Sequence, residues 1–124
     1  MIDWSKAALA PPEYDVAGTL ARLTSTVTGV PRSVATLFRL VQGQMARRYH
    51  RGYSRLRAID ATALDYFEGF WLLWELACSG ERLREGARPD GRIELRWLHA
   101  EAIRAGAARF HALAGVEIRP LEPV

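Results

Sequence analysis

Cysteine is nearly absent from this sequence of 124 residues, which holds Cys78 alone. A single thiol excludes an intrachain disulfide framework and a cysteine-based zinc site, and it fits a reducing compartment. Lysine is equally scarce: Lys6 is the one lysine among seventeen basic residues, and all the others are arginine. Long apolar runs are missing too. The densest, Phe70 to Leu73 with Trp74, is bounded by Glu68 and Glu75, well short of the 18 or so residues a membrane span needs. Residues Met1 to Lys6 carry neither the basic n-region nor the apolar h-region of a secretory signal, which leaves the cytoplasm as the expected compartment. The sequence has no internal repeat, low-complexity tract or linker. Strand patterns of any length are also lacking, since only Met1 to Trp4 and the tail Val116 to Pro120 read as extended.

What is present describes an ordinary folded domain. The chain is 49% hydrophobic and 25% charged, close to the average for globular proteins. Its length suits one domain over residues 1–124, able to bury roughly two thirds of the surface its unfolded form exposes. The formal net charge is +3, a weak footprint for nucleic acid when spread over a whole domain. Arginine in place of lysine, together with abundant alanine, is also what a high-GC genome produces.

Helical spacing dominates and predicts an all-α fold of four helices. After Pro11-Pro12, the residues Val16, Leu20, Leu23 and Val27 recur on one helical face, with Gly29 as the expected stop. A second pattern starts at Pro31, takes Ser33 as a candidate N-cap, and places Val34, Leu37, Phe38, Val41, Met45 and Tyr49 on one face up to about Gly52. Asp60 is the candidate N-cap of a third helix. There Leu64, Phe67, Trp71, Trp74 and Cys78 form a stripe that Phe70, Leu72, Leu73 and Leu76 widen to nearly the whole circumference, so the helix is expected at the centre, with Trp71 and Trp74 buried and Gly80 as its end. Glu81 to Gly91 reads as an exposed connection. A fourth helix carries Leu95, Leu98, Ala102, Phe110 and Leu113 and stops at Gly115.

The N-terminal residues Ile2-Asp3-Trp4, followed by Glu13-Tyr14-Asp15-Val16-Ala17-Gly18-Thr19-Leu20, carry a further signal. An apolar strand ending in Ile-Asp-Trp, a short loop, and a helix opening with Asp and small apolar residues resemble the aminoglycoside phosphotransferase and choline kinase family. The likeness continues through Tyr49-His50-Arg51-Gly52-Tyr53, the aromatic stretch Tyr66 to Trp74, and Ala108-Arg109-Phe110-His111-Ala112-Leu113-Ala114-Gly115-Val116, so it covers nearly the whole chain.

Members of that family have a protein-kinase-like fold and use ATP and Mg2+ to phosphorylate small molecules. The resemblance implies that Asp3 descends from the ligand of the magnesium bridging the ATP phosphates, and that Asp15 braces the catalytic loop from the helix behind it. Magnesium takes hard carboxylate oxygens and often only one or two from the protein, so a single Asp at a strand end suits the task. The family's His-Gly-Asp base, its metal-binding Asn and its ATP-binding lobe have no counterpart here, and Ala10-Pro11-Pro12 stands where Gly-Asp-Pro is usual. The chain therefore reads as the helical C-terminal subdomain, with the N-terminal lobe and catalytic loop absent. Met1 reads as a late gene start or a truncated gene, since a GTG valine codon used as a start gives Met. By this reading the chain alone is inactive and holds neither ATP nor Mg2+ tightly. Its implied partners are a hydroxyl-bearing small molecule, ATP and the missing N-terminal part, with no membrane.

Other residues have plainer readings. Asp15 near a helix N-terminus is a favourable dipole partner in any protein. His50, His99 and His111 lack the i, i+4 spacing that places two ligands together, and Cys78 on the apolar stripe is a small core residue. The rival signal is Arg47, Arg48, Arg51, Arg55 and Arg57 interleaved with Tyr49, His50 and Tyr53. Such a segment either binds phosphates and stacks on bases or is a solvated helix end opposing the macrodipole. The alternative function is thus a stand-alone arginine-rich helical module for nucleic acid or a protein partner, with balanced charge elsewhere arguing against nucleic acid.

Overall fold

The computed structural model describes residues 10–25, 30–86, 98–121 and 123. Among these the architecture is all-helical: α1 (Pro12–Leu23), α2 (Arg32–Leu56), α3 (Ala61–Arg84) and α4 (Ala100–Ala114). The four expected helices are all present, and no strand occurs among the described residues.

Local chemistry accounts for the ends. Pro12 opens α1 at a position where its missing N–H costs nothing. Asp60 caps α3, its Oδ1 accepting from the Ala63 backbone N at 2.9 Å. Gly115 ends α4 with φ at 68°, a left-handed conformation glycine adopts without strain. We expect Asp60→Ala to cost about 1 kcal/mol in a urea titration, because the Ala63 N–H would lose its acceptor.

Several boundaries differ from the sequence expectation. α1 ends at Leu23, short of Gly29, which lies outside the described residues. Thr24 and Ser25 turn their hydroxyls back onto the carbonyls of Leu20 and Arg22, at 2.8 Å each, and compete with further helical turns. α2 begins after Pro31 with Ser33 inside the helix and no side-chain cap, and it runs past Gly52 to Leu56. α3 passes through Gly80 to Arg84, so the first residues of the expected connection are helical; the positive φ, 82°, is at Gly86. A helical glycine costs only about 1 kcal/mol relative to Ala, which the following turn offsets. Leu95 and Trp97 lie outside the described residues, and Leu98 is buried just before α4.

The helices form an open row. Among the described residues α1 packs on α2 and on α3, α3 packs on α4, and no other pair of these helices meets. The buried apolar residues follow this order. Val16, Ala17 and Ala21 of α1 and Leu72 and Leu76 of α3 join Leu98, Ala102 and Ile103 around α4, while α2 contributes only Ala46. Gln42 ties α2 to the end of α1, its Nε2 donating to the Ser25 carbonyl at 3.1 Å.

An open row covers each helix on fewer sides than a closed bundle, and the burial expected of Trp71, Trp74 and Cys78 is incomplete for that reason. α3 does lie between two neighbours, but Trp71 is half-buried and Trp74 is 51% exposed. The expected apolar face of α2 is also open, with Leu37 62% and Phe38 49% exposed and with Val34, Val41 and Met45 uncovered beside them. Cys78 is half-buried rather than a core residue.

Candidate functional site

The first turn of α1 is the natural place to begin, because Glu13, Tyr14 and Asp15 point three ways from it. Glu13 is buried, and its Oε1 accepts from the Asp60 backbone N at 3.1 Å, which fastens the start of α1 to the start of α3. Every buried side-chain nitrogen or oxygen among the described residues has a partner, so this carboxylate is satisfied rather than free. Tyr14 lies against α3. Its carbonyl accepts from Trp71 Nε1 at 3.0 Å, and its ring meets Phe67 edge-on at 5.6 Å and Trp71 at 5.1 Å between centroids. Asp15 faces outward and is exposed at the positive end of the α1 dipole.

Trp71 holds this end together. Its indole lies over Gly18, where an added Cβ would come within 2.8 Å of Nε1. The Arg22 guanidinium sits 5.2 Å from the ring centroid on the same helix, a cation–π contact. Glycine at position 18 therefore lets α1 and α3 approach closely enough for the indole N–H to reach the Tyr14 carbonyl.

Farther along α3, Glu68 and Arg109 of α4 form a bidentate pair: Nε donates to Oε1 at 2.8 Å and an Nη to Oε2 at 3.1 Å. Hydrogen bonding to Glu68 raises the Arg109 pKa above its ordinary value, with the nearby Asp65 charge acting in the same direction, so the guanidinium stays charged at any working pH. The pair stands at a cleft of about 460 Å³ between α1 and α4, lined by Leu20, Ala21, Leu72, Ala105 and Gly106. A second cleft of about 520 Å³ lies between α3 and the end of α4, walled by Tyr66, Phe70, Leu73, Phe110 and Leu113 with Asp65 and Thr62 at its rim. Both fall in the size range of small-molecule sites.

Asp3, the metal ligand implied by the resemblance, lies outside the described residues, as does Trp4, so its relation to Asp15 is not part of this geometry. Among the described residues no three His, Cys, Asp or Glu side chains converge on a point where a metal could sit. The carboxylates of the described residues do not by themselves fit a magnesium site. His50 is on α2, His99 is the residue before α4 and His111 is in its last turn.

The arginine segment takes a form that its sequence does not suggest. At about 100° per residue, Arg47, Arg48, Arg51 and Arg55 occupy one arc of α2, and Tyr49 and Tyr53 fall on nearly the opposite side. The arginines are exposed, whereas the two tyrosine rings are half-buried with centroids 6.2 Å apart. Cation and ring therefore alternate along the chain but present different faces.

Glu13, Gly18, Arg22 and the Glu68–Arg109 pair are the residues that sequence reasoning missed. Glu68 and Arg109 are 41 positions apart, and no local pattern announces a pairing at that distance. Only Pro12 hinted at Glu13, by fixing it in the first turn. Among the described residues no helix is long and apolar enough to cross a membrane. No family model, no curated protein and no solved structure matches the chain.

Proposed function

We propose that this chain is the helical C-terminal portion of a cytoplasmic, ATP-dependent small-molecule phosphotransferase, a kinase that moves the γ-phosphate of ATP to a substrate hydroxyl. The observation that carries the reading is that the stretches resembling the aminoglycoside phosphotransferase and choline kinase family pack on one another. Tyr14 of the first stretch lies on Phe67 and Trp71 of the second, and Glu68 of the second pairs with Arg109 of the third. Asp15 is exposed in the first turn of α1, where it is available to brace a loop supplied from outside this chain.

In this reading ATP and Mg2+ supply the phosphoryl group and the charge neutralisation of its transfer. Asp3 is the residue of this chain that would meet the metal, and Asp15 is a positioning residue. The α3 and α4 side chains around the two clefts would serve as walls for the acceptor. No catalytic base is assigned to this chain.

Phosphoryl transfer depends on positioning by a lobe with no counterpart here, so the purified chain is expected to show no Mg2+-dependent ATP turnover above buffer. The check is a coupled ATPase assay, extended to a panel of hydroxylated acceptors. Robust turnover that disappears in Asp3→Ala would contradict the assignment of the base and nucleotide contacts to an absent part.

A further inference from the structure

α2 stands at the edge of the row and meets α1 alone among the described helices. It is held there by buried Ala46 and by Gln42, whose amide reaches the Ser25 carbonyl. On the side turned away from those two residues, Val34, Leu37, Phe38, Leu40, Val41 and Met45 span an arc of about 160° at 100° per residue. All six are exposed, Leu40 by 64%.

The C-terminal turns of α2 continue the same side with cations. Arg47, Arg48, Arg51 and Arg55 fall on or beside that arc, and all four are exposed. Over its 25 positions α2 holds six arginines and no acidic residue, and among the described residues none of the six is ion-paired. We propose that α2 lies flat on an anionic lipid surface, its apolar turns at the acyl boundary and its arginines on the lipid phosphates.

A lipid surface is the partner that takes both halves of this side. It places an apolar layer a few Å beneath a layer of phosphates, and a basic amphipathic helix with Leu and Phe on its free face is the element that binds there. Arginine suits the upper layer because its fork pairs with phosphate oxygens, and its long stem lets the head reach up from a position on the apolar side. Nucleic acid would pair with the arginines but leave Leu37, Phe38 and Leu40 against no apolar surface. A second copy is no better suited. α2 against itself sets arginine near arginine, and the last turn of α3 mixes Arg82 and Arg84 with Glu81.

Such a helix lies on a bilayer without crossing it, so the contact needs no long apolar run. It departs from the sequence expectation of no membrane partner, because charge and exposure on one helix face are properties of the folded chain. No α2 residue lines either cleft. The inference therefore stands or falls independently of the phosphotransferase reading.

The test is co-sedimentation of the full chain with vesicles of phosphatidylcholine mixed with phosphatidylserine and with vesicles of phosphatidylcholine alone, with far-UV circular dichroism to check that each variant keeps its helices. The wild type is expected to pellet with the anionic vesicles, to stay in solution with the neutral ones, and to be released as salt is raised. Leu37→Gln and Phe38→Gln should each lower the vesicle affinity about tenfold, and Arg48→Ala, Arg51→Ala and Arg55→Ala about fivefold each. Arg119→Ala removes the same charge from the exposed tail and should leave the affinity within about twofold. A folded wild type that ignores anionic vesicles overturns the proposal, as does equal binding to neutral vesicles or a loss in Arg119→Ala as large as in Arg48→Ala. Binding that the arginine variants weaken and the glutamine variants leave unchanged also overturns it, and tighter binding of such a chain to single-stranded DNA would assign the arginines to nucleic acid.

Discussion

Trp71→Ala is expected to lower the unfolding free energy by about 3 kcal/mol, the lower end of the range for removing a large aromatic from a core, because the ring is only half-buried. The loss has three sources: the indole's packing on Tyr14 and Phe70, its hydrogen bond to the Tyr14 carbonyl, and the surface on which Arg22 rests. For a domain whose total stability lies in the usual range of about 5–15 kcal/mol, that is a large fraction. Trp74→Ala is the matched control. Its ring is 51% exposed, so it should cost under about 1 kcal/mol. Urea titrations of both variants measure the contrast, and equal losses would show that the indole at 71 does not hold α1 to α3.

Gly18→Ala tests the same junction from the other helix and should change sign with context. Alanine is favoured over glycine inside a helix by about 1 kcal/mol, so on an open face the substitution would stabilise. Here the new methyl would lie 2.8 Å from Trp71 Nε1 and 2.9 Å from Cε2, so the indole must move and its bond to Tyr14 must lengthen. Overpacking of this kind costs about 1–3 kcal/mol. The net result should be a destabilisation of up to about 2 kcal/mol in the wild type. In the Trp71→Ala background the clash is gone, and Gly18→Ala should stabilise by up to about 1 kcal/mol. A double-mutant cycle reads the coupling directly. Additive effects would mean that the two helices do not meet through this pair.

The parts of the fold that could be read from the sequence are those fixed by neighbours in the chain. Pro12, the Asp60 cap and the Gly115 stop act on backbone groups within a few residues of themselves, and each stands where its local chemistry placed it. Gly80 misled because a glycine permits a helix end without requiring one, and the turn from Glu81 to Arg84 continues past it.

Burial was harder to read for a different reason. A stripe such as Val34, Phe38, Val41 and Met45 declares that a helix face is apolar, but it does not say what covers that face; among the described residues nothing does. The nearly all-round hydrophobicity of α3 likewise implied burial on every side, yet among the described helices α1 and α4 alone flank it.

The site was legible to a smaller degree. Asp15 is placed by its helix, as expected, but the pairing of Glu68 with Arg109 and the seat of Glu13 under Asp60 arise from helix packing and have no sequence signal. The arginine and tyrosine residues of α2 show the converse, since a sequence that mixes them becomes a helix that separates them.

The central claim is that this chain completes a phosphotransferase whose base and nucleotide lobe are encoded ahead of it. The most direct measurement joins the chain to the polypeptide specified by the in-frame DNA upstream of Met1 and follows transfer of the ATP γ-phosphate to hydroxylated acceptors in the presence of Mg2+. The account predicts a His-Gly-Asp segment in that upstream polypeptide, ATP binding and phosphoryl transfer by the joined protein, and loss of transfer in Asp3→Ala with ordinary folding. An upstream frame without His-Gly-Asp, or a folded joined protein that binds no nucleotide, would contradict it.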